Sequence, residues 1–327
     1  MATQPVAESA IGKRLTPRRI GIDTLWDYAV LLTFVVLFVA LSIASPAFLT
    51  TRNLFNILDQ SAPVGIIACA ATLVIIAGGF DLSAGAIFAL AGVIAAKTAN
   101  ATDPATGMLV ALLVATALGL FNGLLVSGFQ INPFVATLAT GMMIRGLAVV
   151  ITSGFLVTVA DERYTIIGRE AVLGVKYSVW LFAAFAAICG FLLARTKFGR
   201  HVYAVGGNAE AARLSGIRVG WVKALTFAIS GVAAGLAGLI ASSRVSTGQA
   251  DAGSLIELTA IAAVVIGGTS IAGGEGAIWR TIVGILLLAL IGNGFNMLRV
   301  EPFYQDIVKG AIIVVAVAID AWSKRRE

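Results

Sequence analysis

Two polar residues that could do chemistry stand in a glycine-rich segment between apolar runs. Residues 78–85 read Gly-Gly-Phe-Asp-Leu-Ser-Ala-Gly, which puts Asp81 and Ser83 two positions apart. An acid inside a bilayer is costly, so by default it marks a functional site. Either side chain could instead cap the following helix by accepting hydrogen bonds from its free N–H groups. The two roles are compatible, and both residues are candidates for lining a polar pathway.

Asparagines form a second set of candidates, because they recur in or beside apolar runs. Asn122 stands in Gly-Leu-Phe-Asn-Gly at 119–123, and Asn293 and Asn296 stand in Gly-Asn-Gly-Phe-Asn-Met at 292–297. Asn side chains hydrogen-bond between membrane helices, and glycines four apart favour close helix packing. These asparagines therefore hold helices together or contact a hydroxylated substrate.

The segment 131–134, Ile-Asn-Pro-Phe, predicts a tight turn in which Pro133 starts a helix. Asn132 and Phe134, on either side of that proline, complete the candidates for the pathway.

A hydrophilic stretch around 206–216 predicts a two-turn helix outside the membrane. Asn208 suits its N-cap, Glu210 complements the positive helix start, Arg213 complements the negative end, and Gly216 suits its stop. So short a helix is marginal alone in water and needs a surface on which to dock, unless the stretch is a solvated linker. The small residues that would let another protein approach closely are Ala209, Ala211 and Ala212.

Most hydrolytic and metal chemistry is not expected of this chain. It has no Gly-x4-Gly-Lys-Ser/Thr phosphate loop, no nucleophile–His–acid set, and a single histidine, His201. Cys69 and Cys189 lie within apolar runs, where a small buried filler is the expected role. The sequence therefore predicts no catalytic site, no metal site and no cofactor. The net charge of +6 comes from cations that flank apolar runs, which indicates a membrane surface and not nucleic acid.

The composition predicts a polytopic membrane protein. Of the 327 residues 59% are hydrophobic and 12% are charged, and the charges are bunched between long uncharged runs. A helix needs roughly 20 mainly apolar residues to cross a bilayer, and these runs lack the alternation of barrel strands. We expect an all-α fold of about ten transmembrane helices in the lipid bilayer, at about 28–45, 62–77, 86–98, 107–126, 133–153, 178–194, 224–242, 255–267, 277–293 and 305–322.

Cations set the expected orientation. With the N-terminus inside, the inner segments carry 13 Lys and Arg residues and the outer segments carry six. Positive charge favours the cytoplasmic side, so both termini are expected there. The chain then divides into a cytoplasmic segment 1–27, a transmembrane domain 28–322 with a cytoplasmic loop 195–223, and a cytoplasmic tail 323–327.

A weak internal repeat indicates two glycine-rich breaks. Val-Ile-Ile-Ala-Gly-Gly from position 74 resembles Val-Val-Ile-Gly-Gly from position 264, and each is followed by Gly-Ala-Ile. Breaks at membrane depth are tolerated where they line a cavity or are buried in protein. Both breaks are therefore predicted to be intramembrane.

Five of these segments resemble the permease subunits of bacterial ABC importers of the ribose, xylose and arabinose type, a family related to the branched-chain amino acid permeases. They are 78–85, 131–138, 204–217, 265–270 and 293–298. In the family the cytoplasmic stretch is the coupling segment that meets the ATPase. Carried over to this chain, it covers Gly206, Gly207, Asn208, Glu210, Ala211, Arg213 and Gly216, to which the small side chain of Ala212 is added.

The resemblance implies a homodimer in the bacterial inner membrane. Two ABC ATPase subunits would use ATP and magnesium, a periplasmic binding protein would deliver a monosaccharide, and this chain would break no bond. The rival expectation is an ion-coupled secondary transporter in which Asp81, Glu257 and Asp306 are ion or proton sites. A structural membrane protein is a third possibility, and the short docking helix argues against both alternatives.

The charge bias makes a testable prediction of topology. A reporter fused near Glu210 should be cytoplasmic, and one near Ile167 should be on the opposite side, because the cations favour the inner segments by 13 to six. Reporter activity at the two fusion points measures this directly. Finding both on one side would contradict the ten-helix arrangement.

Overall fold

The computed structural model describes residues 22–301 and positions 304, 305, 307, 308, 310, 311 and 314, with only the backbone at 22–29. Its helices are α1 (Ile22–Ala44), α2 (Thr51–Ile76), α3 (Ala84–Ala101), α4 (Pro104–Gly128), α5 (Pro133–Thr152), α6 (Ile166–Arg169), α7 (Tyr177–Arg195), α8 (Lys197–Gly207), α9 (Ala209–Leu214), α10 (Val219–Val245), α11 (Ile256–Ile266) and α12 (Ile278–Met297). Short strands β1 (Val157–Thr158), β2 (Ala171–Val172), β3 (Val175–Lys176) and β4 (Thr247–Gly248) and a 3-10 turn (Glu162–Thr165) join them.

The chain is a multi-pass, mainly α-helical membrane protein. Within its described residues, α2, α3, α4, α5, α7, α10 and α12 are long and apolar enough to cross a bilayer. The apolar part of α1, Val30–Ala44, and α11 are shorter. The expected span at 305–322 falls largely outside the described residues. The count of ten helices and the position of both termini therefore stay predictions.

The second helix begins at Thr51, not at position 62 as the uncharged run predicted. The side chain of Thr50 caps it by accepting a hydrogen bond from the Asn53 amide. The prediction stopped short because Asp59 is charged, yet Asp59 is only 5% exposed. The carboxylate is tolerated inside the bundle because cations from other segments neutralise it.

A cluster of ion pairs around Asp59 ties together α2, α7 and α10. The Asp59 carboxylate lies 2.7 Å from Lys176 Nζ and 2.8 Å from Arg244 Nη2, and it accepts a hydrogen bond from the Ser178 hydroxyl. Arg169 donates to the Arg244 carbonyl at 2.8 Å. Three cations that the sequence assigned to the outer segments thus lie together at one end of the bundle.

The connections at this end are held by short antiparallel strand pairs. Strand β1 pairs with β4, with Val157 opposite Gly248, and β2 pairs with β3. The segment 157–176 lies at one end of α7 and α8 starts at the other. A helix of 19 residues is about 28 Å long, so α7 separates these two regions by nearly a membrane thickness.

Small residues bring α4 and α10 into direct backbone contact at the centre of the bundle. A Cβ on Gly119 would lie 2.7 Å from the Gly231 Cα, and one on Gly123 would lie 2.6 Å from the Ala224 Cα. Glycines allow this approach because they have no side chain to separate the backbones. The close packing expected for the glycines around Asn122 is confirmed.

Removing the Asp59 carboxylate should destabilise the bundle. Asp59→Ala leaves Lys176 and Arg244 without their anion, and breaking a fully buried pair costs roughly 3–5 kcal/mol. Both cations are partly exposed, so we expect about 2 kcal/mol and a clearly lower melting temperature of the purified protein.

Asp161→Ala is the matched control, because Asp161 pairs with an arginine at 2.6 Å on the exposed surface. An exposed ion pair contributes little to stability, so the control should barely change the melting temperature. Equal effects of the two substitutions would contradict this account.

Candidate functional site

The two glycine-rich segments are 78–85 after α2 and 267–276 after α11. Each ends its preceding helix with the same backbone geometry. Gly78 after α2 has φ +76° and Gly268 after α11 has φ +84°. At both, the glycine amide bonds to the carbonyl three residues earlier and the next amide to the carbonyl five residues earlier, at 2.8 to 3.2 Å. This is a glycine-terminated helix end that satisfies free carbonyls. The internal repeat is therefore present in local structure as well as in sequence.

The two segments also contact each other. The Gly274 amide donates to the Ile76 carbonyl at the end of α2, at 2.9 Å. A Cβ on Gly273 would lie 3.2 Å from the same carbonyl and 3.3 Å from the Gly78 Cα. The second segment thus satisfies a free carbonyl at the end of α2, where the first segment begins.

Asp81 accepts hydrogen bonds from three donors in a buried polar network. Its Oδ1 accepts from the Ser83 amide at 2.9 Å and the Ser83 hydroxyl at 2.5 Å, and its Oδ2 accepts from the Ser230 hydroxyl at 2.6 Å. Asn122 donates to the Ser83 hydroxyl at 2.7 Å. All four residues are at least nine-tenths buried. The network joins the first glycine segment to α4 and α10.

The capping role expected for Ser83 is wrong, and that of Asp81 is not seen. Ser83 occupies the N-cap position of α3 but makes no side-chain capping bond. Asp81 bonds to the amide of Ser83 itself, before the helix starts, and to Ser230. Ser230 lies eleven residues into α10, about 16 Å along its axis. The acid therefore fixes the segment against the middle of a neighbouring helix.

A threonine on α5 holds the same segment from another side. The Thr137 hydroxyl accepts a hydrogen bond from the Leu82 amide at 3.0 Å and donates one to the Phe80 carbonyl at 3.2 Å. Sequence reasoning missed both Thr137 and Ser230. Their signal was a small hydroxylated residue inside an apolar run, which is common and therefore weak on its own.

The start of α5 has the predicted turn. Pro133 is the first residue of the helix, and Asn132 caps it by accepting from the Phe134 amide at 2.9 Å. Asn132 and Phe134 are both exposed, so they stand apart from the buried Asp81 network. Their assignment to a pathway stays a prediction.

Two charged residues near the start of α3 were not among the predicted pathway residues. The Glu257 carboxylate packs directly over Gly85, where a Cβ would overlap it. Arg145, within α5, donates to the Ala250 and Ala252 carbonyls at 2.9 Å. These bonds hold the irregular segment that leads into α11. A lone cation within an apolar helix is the sequence feature that could have revealed Arg145.

The predicted short helix exists as α9, with the predicted ends. Asn208 accepts from the Ala211 amide at 2.9 Å, and Gly216 has φ +83°. Glu210 and Arg213 form an exposed ion pair at 2.6 Å. This pairing lowers the pKa of the Glu210 carboxyl and raises that of the Arg213 guanidinium. Since both side chains are exposed, the pair contributes little to stability.

The expectation that Ala212 belongs to an exposed face is wrong. Ala212 is only 4% exposed, while Ala209 and Ala211 are exposed. A helix with 3.6 residues per turn turns one side toward the protein, and here that side includes Ala212. A partner could therefore contact Ala209, Glu210, Ala211 and Arg213, whereas Ala212 packs inward.

Helix α8 was not predicted, and it connects α9 to the end of α2 and to the second glycine segment. Gly206 sits against the Ile76 carbonyl so closely that a Cβ there would overlap it, and that Cβ would lie 2.6 Å from the Gly274 amide nitrogen. The Tyr203 hydroxyl donates to the Gly276 carbonyl at 2.7 Å. Gly206 therefore packs inside the protein, while Gly207 is exposed. Burial of Val202 and Val205 on the same helix seals this contact.

The asparagines near the end of α12 make specific side-chain bonds. Asn293 exchanges hydrogen bonds with Asn53, at 2.8 and 3.3 Å, and so joins α12 to the start of α2. Asn296 accepts from the Gln305 amide at 3.0 Å. The expected role of asparagine as a helix contact is confirmed for Asn293.

Comparisons with known proteins give consistent matches. Residues 53–317 match the family described as branched-chain amino acid transport system / permease component. The chain is 40% identical to the ribose import permease protein RbsC of Escherichia coli K12 over 295 residues, 89% of this chain and 92% of the relative. It is 41% identical to RbsC of Bacillus subtilis 168, covering 87% and 89%. It is 38% identical to the L-arabinose transport system permease protein AraH of Escherichia coli K12, covering 92% of both. No solved structure matches.

Removal of the Asp81 carboxylate should lower assembly of the protein. Asp81→Leu leaves the Ser83 amide and the Ser83 and Ser230 hydroxyls without their acceptor, and each buried unsatisfied group costs about 1–3 kcal/mol. We expect less inserted protein and a melting temperature well below that of the wild type. Asp251→Leu, at an exposed acid, is the control. A normal yield and stability of Asp81→Leu would refute a required role for the network.

Proposed function

Because this chain belongs to the permease family of branched-chain amino acid transport systems, we propose that it is the membrane-spanning subunit of an ATP-driven importer of a monosaccharide. The observation that carries the proposal is the similarity to relatives named for ribose and arabinose transport. That similarity extends over about nine-tenths of both partners in each comparison. It therefore covers most of the chain, and the family match covers residues 53–317.

The proposed importer has further components. A pair of ABC ATPase subunits binds ATP and magnesium on the cytoplasmic side, and a periplasmic binding protein delivers the sugar in the other compartment. Two copies of this chain form the permease in the bacterial inner membrane. This chain forms the translocation pathway, and the partner ATPase subunit hydrolyses ATP.

The docking surface for the ATPase is the exposed side of α9. Ala209 and Ala211 are small and exposed there, and Glu210 and Arg213 place one charge of each sign beside them. Small side chains permit close approach, and the charges favour one orientation of the partner. The buried Ala212 supports this surface from beneath. A charged substitution that probes docking therefore belongs at Ala209 or Ala211, since at Ala212 it would disturb packing first.

Movement of the docking helix reaches the membrane bundle through α8. Tyr203 and Gly206 contact the second glycine segment, and Gly206 also contacts the end of α2. The first segment continues from that end to Asp81, which is bonded to α10. The ATPase pair drives transport to the extent that its affinity differs between the outward-open and inward-open permease. We propose that the contacts of α8 with the end of α2 and the second glycine segment differ between these two states.

The pathway candidates then divide by position. Asp81, Ser83 and Asn122 hold the buried glycine segment, so they act on the shape of the pathway. Asn132 and Phe134 are exposed at the start of α5, where they could meet the substrate or the second copy of the chain. Asn293 and Asn296 lie near the end of α12 that is remote from α8.

Uptake of labelled sugars tests the proposed function. A strain that lacks this gene should take up less D-ribose or L-arabinose than the same strain with the gene restored, while L-leucine uptake should be unchanged. Loss of leucine uptake with normal sugar uptake would overturn the monosaccharide assignment.

Loss of the Tyr203 hydrogen bond should loosen the coupling between ATP hydrolysis and transport. Tyr203→Phe removes one partly buried hydrogen bond to the Gly276 carbonyl, worth about 1 kcal/mol. We expect about fivefold fewer sugar molecules transported per ATP hydrolysed in proteoliposomes, with ATPase binding retained, since α9 is unchanged.

Tyr177→Phe is the matched control, because Tyr177 starts α7 at the end remote from α8. The control should keep the wild-type ratio of transport to hydrolysis. An unchanged ratio in Tyr203→Phe would show that α8 does not carry the movement.

A further inference from the structure

A cavity of about 230 Å³ lies between α2, α11 and α12. It is separate from the Asp81 network and opens to the surface beside the exposed Gln60. A cavity of this size has room for about eight waters at about 30 Å³ each, so it also suits a ligand of monosaccharide size. The polar side chains that line it are Gln60, Ser61, Thr259, Asn293, Asn296 and Gln305.

The described lining combines these six polar side chains with apolar ones and carries no charged side chain. Its hydrogen-bonding groups are amides and hydroxyls, which serve both as donors and as acceptors. A free amino acid would bring an ammonium and a carboxylate, and burying either without a partner is costly. A sugar brings neutral hydroxyls, which amides and hydroxyls can match. The chemistry of the lining thus favours a neutral polyhydroxylated ligand over an amino acid.

The existing hydrogen bonds hold the polar groups in place and leave some of them free to bind. Asn293 is fixed by its exchange with Asn53, and the Asn296 oxygen accepts from the Gln305 amide. Within the described part of the chain, these bonds leave the Asn296 amide hydrogens and the Gln305 oxygen for a ligand. Ile57 and Leu288 supply apolar surface, which suits the C–H faces of a sugar ring. Preorganised donors lower the entropic cost of binding.

The helices around the cavity are those that meet the two glycine segments. Helix α2 ends at Ile76 and α11 ends at Ile266, directly before the segments, and α12 starts at Ile278 directly after the second. Helix α8 contacts the end of α2 and the second of these segments. A ligand between these helices would therefore act on the junction that the docking helix reaches.

We propose that this cavity is a monosaccharide-binding site contained within one copy of the chain. The inference rests on the proposed import of a sugar and specifies where that sugar is held. The Asn296 amide and Gln305 oxygen bind its hydroxyls, and Gly292 leaves the space that its ring occupies, since a Cβ at Gly292 would meet nothing within 4 Å.

Two substitutions test the proposal in the complete importer, with uptake of D-ribose and L-arabinose as the measurement. Gly292→Leu fills the space, and Asn296→Leu removes hydrogen bonds. We expect the sugar concentration for half-maximal uptake to rise about tenfold in Asn296→Leu, the effect of losing about 1.4 kcal/mol. Gly292→Leu should abolish most uptake while the ATPase still co-purifies.

Gly128→Leu is the control, because a Cβ at Gly128 also meets nothing within 4 Å but lies on α4, away from the cavity. It should transport normally. If the wild type takes up neither sugar, the proposed function fails. If the wild type transports sugar and both cavity variants match it, the cavity inference fails. Unchanged sugar uptake with loss of a co-purifying glycolipid would assign the cavity to a lipid headgroup and overturn the proposal.

Discussion

The end of α2 inside the bundle is the constraint on which the arrangement depends. A helix that stops within protein leaves carbonyls that must find partners, because no bulk water reaches them. Gly78 satisfies some of them by reversing the backbone, and the Gly274 amide satisfies the Ile76 carbonyl. That bond joins two segments nearly 200 residues apart in the chain, and Gly206 closes over it. Gly78 is required because its φ is positive, and Gly206 because a Cβ there would overlap the Ile76 carbonyl.

Two sets of polar groups contact α2 or the segment that follows it, one buried around Asp81 and one beside the cavity. Asp81, Ser83 and Ser230 satisfy one another and hold the first glycine segment against α10. Among the described residues, Asn296 and Gln305 use only part of their hydrogen-bonding capacity, and both line the cavity. A satisfied buried network makes a segment rigid, whereas free donors and acceptors beside open space can serve a ligand. Helix α2 is the element common to both sets, because Asp81 and Ser83 follow its end and the cavity lies against its first half.

Membership of the permease family was expected from five short segments, and the comparisons confirm it. Helix existence was also predictable, because long uncharged runs leave few alternatives in a membrane. Helix ends were less predictable. The start of α2 was missed because Asp59 looked too polar for a membrane helix, and only Lys176 and Arg244, more than a hundred residues away, make it tolerable. Charge alone does not reveal a partner that distant in sequence.

The sequence by itself determined the membrane class, the family, the short helix α9 with its caps, and the turn at Asn132 and Pro133. Each of these depends on neighbouring residues, whose periodicity and capping chemistry act locally. Only the tertiary structure decided that Ala212 packs inward, that Asp81 bonds to Ser230, and that Gly206 contacts both the end of α2 and the second glycine segment. These contacts join residues far apart in the chain. Which side of a short helix is buried, and which donor reaches a buried acid, depend on how distant helices pack.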